Sequence, residues 1–132
     1  MIRQTYGSNS PWEGIVGYSR VVRVNNVIEV SGTVAVDDNN NIVGENDASG
    51  QARFILGKII RYIEKAGGRK EDITRTRIFV TDISHWEEVG KVHGEFFAAT
   101  RPATSMVEVK SLISPAYLVE IEATAIISSS PF

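Results

Sequence analysis

The sequence predicts an α+β domain: a mixed β-sheet of about six strands with two helices packed on one face. Three observations carry this expectation. Stretches of two-residue apolar alternation lie toward both ends of the chain and in its middle, and two stretches of helical period separate them. The 132 residues suffice for one compact domain that buries roughly two-thirds of its unfolded surface, and are too few for two ordinary ones. No repeat, linker or low-complexity segment interrupts the chain, so residues 1–132 read as a single domain.

The elements follow in order. SRVVRV (19–24) and VIEVSG (27–32) flank Asn25-Asn26, a pair that tolerates positive φ in a tight turn, and so form a hairpin. A further strand is expected over TVAVD (33–37), followed by a polar turn through DNNN to Gly44. From Asp47 to Ala66, the residues Ala52, Ile55, Leu56, Ile59, Ile60 and Ile63 keep helical spacing, and Gly67-Gly68 stops the run. DITRTRIFVTD (72–82) is rich in β-formers and is placed to return parallel through a right-handed crossover. Ser84 and Glu87 have the spacing of a capping box, which starts a second helix that buries Val89, Val92 and Phe96. Two last strands are expected at about 104–110 and 118–127, around SLISPAY.

Composition narrows the function classes. The net charge of -2 gives no basic face for nucleic acid, and the short basic alternations RVVR and RTR lack the interleaved aromatics of a single-strand binder. The absence of cysteine removes disulfides, thiolate nucleophiles and sulfur-ligated metals. MIRQTYGSNS has no apolar h-region, and no stretch approaches the roughly 18 apolar residues of a membrane span. A soluble, cytoplasmic protein without a membrane or nucleic-acid partner is expected.

Candidate chemistry is sparse. In LVEIEATAII, Val119, Ile121, Ala123 and Ala125 alternate with Leu118, Glu120, Glu122, Thr124 and Ile126, so neither strand face is solvent-like. A half-apolar second face points to burial against other subunits. Glu120 and Glu122 share a face and Glu108 lies on the preceding strand, so these carboxylates are expected to converge; a carboxylate in a partly apolar cleft can exchange protons with water. The competing reading pairs them with Lys110, Arg75 or Arg77 on an exposed surface. His85 and His93 lack the i, i+4 spacing of a helical zinc site, so a structural or surface role and no metal are expected; nothing resembles a phosphate loop, a nucleophile elbow or a dinucleotide fingerprint, and no cofactor is expected. Ser31-Gly32 ends a strand where a ligand could approach the backbone. RPATSMVEVK (101–110) alternates as a strand, yet places Thr104 and Ser105 just after a proline, where a site is often built.

Taken in order, VGY (16–18), SGTVAV (31–36), GQARFILGKIIRYIEKAGG (50–68), DITRTRIFVTDIS (72–84), VGKVHGEFF (89–97), RPATSMVEV (101–109) and LVEIEATAI (118–126) resemble the RidA/YjgF (Rid) family, from about residue 14 to 127. The resemblance implies a chorismate-mutase-like fold and a homotrimer whose sheets form a central barrel, with three clefts between subunits. It implies hydrolysis of reactive 2-enamino and 2-imino acids to 2-oxo acids and ammonia. In that scheme an arginine binds the substrate carboxylate and a glutamate on the last strand handles water. Carried over by position, Tyr18, Ser31 and Gly32 are substrate-binding and Glu120 is catalytic. Thr104 stands where the family arginine belongs, Met106 replaces a frequent cysteine, and Gly90 replaces a frequent asparagine. Thr104, Ser105 and Met106 are thus expected to border the cleft with altered chemistry, because a single neutral hydroxyl replaces a charged planar fork. A hydrolase of small imines or enamines outside the standard 2-imino acids is expected, with a non-catalytic small-metabolite-binding trimer as the alternative. Ribonuclease activity, a label attached to this family, finds little support in the acidic balance and the lack of a His-based acid/base pair.

Overall fold

The computed structural model describes residues 2–128. Six strands and two main helices form one layer on another: β1 (Arg3–Tyr6), β2 (Val21–Val24), β3 (Val27–Thr33), α1 (Ala48–Lys65), β4 (Ile73–Val80), α2 (Trp86–Phe97), β5 (Ala103–Glu108) and β6 (Val119–Ile126). The strand order is β1-β2-β3-β6-β4-β5. Neighbours are antiparallel except β4 and β5, which run parallel, so the sheet is mixed. Because β3 and β4 are each antiparallel to β6, they are parallel to one another, with β6 lying between them. The crossover expected through α1 is therefore present, one strand wider than an adjacent pair.

Alternation builds the core. Ile28 and Val30 from β3, Ile78 and Val80 from β4, and Val119, Ile121, Ala123 and Ala125 from β6 all face the helices and are buried. Against them pack Ala52, Ile55, Leu56, Ile59 and Ile63 of α1 and Val89, Val92 and Phe97 of α2. Each fully buried Ile or Leu contributes about 1.5–3 kcal/mol, so this single stripe of α1 fixes the helix on the sheet. The Asp47 carboxylate caps the start of α1 by accepting from the Gly50 N–H. At its end, Gly67 takes a φ of 97°, and Gly68 N–H reaches back to the Ile63 carbonyl while Gly67 N–H reaches Glu64, a Schellman closure. Asn25 takes a φ of 53° in the β2–β3 turn, as its side chain permits.

Four expectations change. TVAVD adds no strand to the sheet: β3 ends at Thr33, and Val36 makes only an isolated bridge to Ile42. The N-terminal Arg3–Tyr6 supplies the sixth strand instead, along β2; its one apolar position among Arg, Gln, Thr and Tyr gives no alternation to read. Ser84 does not form a capping box, because Asp82 accepts from both its N–H and its hydroxyl and so organises a 3-10 turn ahead of α2. Finally, Phe97 is the buried aromatic of α2, whereas Phe96 is only partly covered.

Gln51 is buried on α1 and serves three backbone groups. Its amide donates to the carbonyls of Gly44 (3.1 Å) and Ala116 (2.9 Å), and its carbonyl accepts from Leu118 N–H at 2.9 Å. That last bond fixes the entry of the chain into β6, two residues before Glu120.

Candidate functional site

Glu120 stands on the sheet face away from the helices, where β6 alternation puts it with Glu122 and Thr124. The neighbouring strand β3 bulges between Val30 and Thr33, and Ser31-Gly32 occupy the bulge. There the Glu120 side chain lies directly over Gly32. The bulge is tied to the segment before β2: Ser31 hydroxyl donates to the Ser19 carbonyl (2.6 Å), Ser31 N–H donates to the Arg20 carbonyl (3.0 Å), and Arg20 Nη2 donates to the Gly32 carbonyl (2.7 Å). The Arg20 guanidinium carbon sits 5.6 Å from the centre of the Tyr18 ring, a cation–π arrangement. Tyr18, Ser31, Gly32 and Glu120 are thus brought together, with Arg20 among them. Tyr18 and Ser31 also line an open cavity of about 460 Å³ shared with Arg3 and Glu13.

The electrostatics of this cluster favour proton exchange. Burial pushes the Glu120 carboxyl above the usual carboxylate range; Arg20 pulls it back and the Glu122 charge pushes it further up. Arg20 forms no ion pair among the described residues, and its Nε is enclosed without a hydrogen-bond partner. Glu122 pairs instead with Arg77 at 3.4 Å. Two carboxylates on one face therefore differ in state: one is paired, and one is half-buried beside a cation that does not contact it.

Thr104, Ser105 and Met106 lie elsewhere in the chain. They sit on β5, an edge strand separated from β6 by β4. Register pairs Thr104 with Thr76 and Met106 with Ile78, both buried under the helices, so Thr104 and Met106 face the side opposite Glu120. Ser105 faces the Glu120 side, where it accepts from Arg75 Nη2 at 2.9 Å. Strands are about 4.8 Å apart, so one chain holds Thr104 roughly 10 Å from β6 and across the sheet. Glu108 likewise does not converge with Glu120 and Glu122: paired with Val80, it faces the helix side and accepts from Ile83 N–H at 2.9 Å. Arg101 adopts a φ of 53° and donates from Nε to the Ala98 carbonyl, which holds it at the end of α2.

One feature escaped the sequence reading. Arg20 was read as part of a basic strand alternation, although its place two residues after Tyr18 was the available signal. His93 falls one turn beyond Val89 on the buried stripe of α2, and its Nε2 lies 2.8 Å from Thr76 Oγ1. His85 lies 3.9 Å from Glu88 at the surface. No cluster of three or more potential ligands is placed to hold a metal among the described residues. No described helix is long and apolar enough to cross a membrane.

Comparison with known proteins places the chain in a family. The family profile described as Endoribonuclease L-PSP matches residues 8–127. A 3-aminoacrylate deaminase, RutC of Acinetobacter baylyi, is 34% identical over 108 residues, spanning 82% of this chain and 85% of the relative. A crystal structure of a Mycobacterium tuberculosis member of the highly conserved YjgF family is 45% identical, with a TM-score of 0.86 over 96% of this chain and all of the other. A Yersinia pestis member of the conserved Rid protein family is 31% identical with a TM-score of 0.84, again over 96% of this chain. The chain belongs to the YjgF/RidA family, and its mixed six-stranded sheet under two helices is the chorismate-mutase-like fold of that family.

Proposed function

We propose that this protein is a Rid-type deaminase that hydrolyses a small imine or enamine in a cleft between subunits of a homotrimer. The observation that carries the reading is the half-buried Glu120 carboxylate, set over Gly32 and beside Arg20, with its proton affinity raised. An enamine first tautomerises to its imine. Glu120 then takes a proton from water as the oxygen attacks the imine carbon. The same carboxyl returns that proton to the nitrogen, giving the carbinolamine, and then relays the proton of the new hydroxyl to the departing nitrogen as the carbonyl forms, so one water is consumed and ammonia leaves. The Acinetobacter relative is named for a deaminase of 3-aminoacrylate, by structure an enamine, which supports this reaction class.

The cleft needs two chains. Thr104 and Met106 cannot meet the ligand of Glu120 within one chain, because they lie on the other sheet face at the free β5 edge. A neighbouring subunit's edge laid against the Tyr18–Glu120 cluster would complete the site, with the side chains of Thr104 and Met106 and the backbone of Ser105 on the far wall and backbone N–H groups near Gly32 or Met106 orienting the ligand. The same association covers Val27, Val107 and Ile126, which are 38%, 47% and 48% exposed on the uncovered face. With Thr104 in the arginine position, the substrate class moves away from standard 2-imino acids. Sedimentation of the full chain should give a trimer, and Glu120→Ala should abolish ammonia release while leaving that trimer intact.

A non-catalytic metabolite-binding trimer uses the same cleft, and saturable binding without product would favour it. The ribonuclease named in the family description has no His-based acid/base pair here: His93 is bonded to Thr76 and His85 lies beside Glu88. RNA degradation that persists in pure protein after Glu120 is replaced would support that reading instead.

A further inference from the structure

We propose that His93, Thr76 and Thr104 form a continuous polar chain whose outer end, the Thr104 hydroxyl, selects an uncharged polar group on the ligand. This rests on the proposed intersubunit cleft, into whose wall Thr104 would project.

The starting observation is Thr76. It is fully buried in the middle of β4, among the inward-facing Ile73, Ile78 and Val80. A hydroxyl there costs about 1–3 kcal/mol unless it is bonded, and valine has nearly the same shape without that cost. Thr76 Oγ1 is bonded on both sides, to His93 Nε2 at 2.8 Å and to Thr104 Oγ1 at 2.7 Å. The His93 ring is steadied by Phe97, whose centroid is 4.7 Å away. Two short bonds therefore run from the inner face of α2 to Thr104, an exposed residue of the edge strand.

A hydroxyl carries one proton, so the chain has two consistent polarities. If the imidazole N–H donates to Thr76, Thr76 donates to Thr104, and the Thr104 proton is free to point outward. If Thr76 donates to the imidazole, Thr104 donates inward and offers only its lone pairs. The two tautomers of a neutral imidazole supply these two arrangements. Burial keeps the His93 pKa below its usual value, which favours that neutral ring. The chain can therefore present a donor or an acceptor while carrying no charge. An amide, a hydroxyl or an uncharged imine nitrogen meets a matched partner there; a carboxylate gains no charge-assisted bond from it.

Direct binding tests this without requiring turnover. Affinities for pyruvamide and pyruvate, an uncharged and a charged carbonyl of the same size, would be measured by calorimetry on the native protein, Thr76→Val and Thr76→Ser. The native protein should prefer pyruvamide. Thr76→Val should weaken pyruvamide about five-fold and leave pyruvate unchanged, and Thr76→Ser should restore the native values, since one hydrogen bond is at stake. Absence of the preference in the native protein overturns the proposal. So does an unchanged ratio in a folded Thr76→Val protein, or a Thr76→Ser protein that loses as much as Thr76→Val. Because no step depends on hydrolysis, ligand selection that tracks Thr76 in a protein without turnover would count against the deaminase reading and not against this one.

Discussion

Glu120 rests on Gly32 so closely that a β-carbon at position 32 would fall 2.5 Å from its Oε2 and 3.0 Å from its carboxyl carbon. Gly32 has no need of a left-handed backbone, so the glycine serves the carboxylate and not the turn. Gly32→Ala should therefore leave stability within about 1 kcal/mol of native, because alanine also restricts the unfolded chain. It should lower kcat by about ten- to a hundred-fold through displacement of Glu120. Steady-state kinetics beside a thermal melt check both halves.

The titration of Glu120 gives a prediction with a definite sign. Its folded pKa is raised above the unfolded value, so the stabilising state is the protonated one. That contribution is complete below the ordinary glutamate range and is lost as pH rises through the folded value. Glu120→Gln should accordingly melt higher than native at neutral pH, and the difference should shrink toward zero in acid. For the reaction, a base at Glu120 places the rising limb of rate against pH above the usual carboxylate range. Arg20→Gln should move that limb to still higher pH, since Arg20 pulls the carboxyl down.

Gln51 is the polar tie that aligns β6. Gln51→Leu keeps the volume but leaves Leu118 N–H and the carbonyls of Gly44 and Ala116 without their partner. Denaturant unfolding should show a loss of about 2–4 kcal/mol, larger than a buried apolar exchange of equal size.

Restoring an arginine should redirect the cleft. Thr104→Arg supplies a charged planar donor at the wall proposed to face Glu120, and should raise kcat/KM for 2-aminoacrylate by roughly thirty-fold or more. Activity on an imine without a carboxylate should fall or stay level in the same variant.

Much of this fold was legible because burial leaves a period. The α1 stripe and the β6 alternation are simple consequences of packing one face, and the Asn25 and Gly67 turns follow from backbone freedom. The N-terminal strand was not legible: Arg3–Tyr6 pairs through its backbone on the sheet edge and buries little. TVAVD misled for the opposite reason, since Thr33 and Ala35 are buried while the chain makes no ladder beyond Thr33. At the site, Ser31-Gly32 and Glu120 stand out in the residues themselves, Tyr18 comes from the family resemblance, and the structure gathers all four around one bulge. Their separation from Thr104 and Met106 depends on register, which places those residues on the opposite face; alternation within a single strand does not define that relation. Arg20 and His93 act through side-chain reach across elements, so their partners, the Gly32 carbonyl and Thr76, cannot be read from spacing along the chain.

The most direct test is ammonia release from an imine without a carboxylate, generated in place by an amine oxidase. Native protein, Glu120→Gln and a protein-free control would be followed side by side, with the oligomeric state of each checked. Release well above the control by the native protein, falling to the control in an intact Glu120→Gln oligomer, is the result expected. Native release no faster than the control, or a Glu120→Gln protein as active as native, would contradict the account.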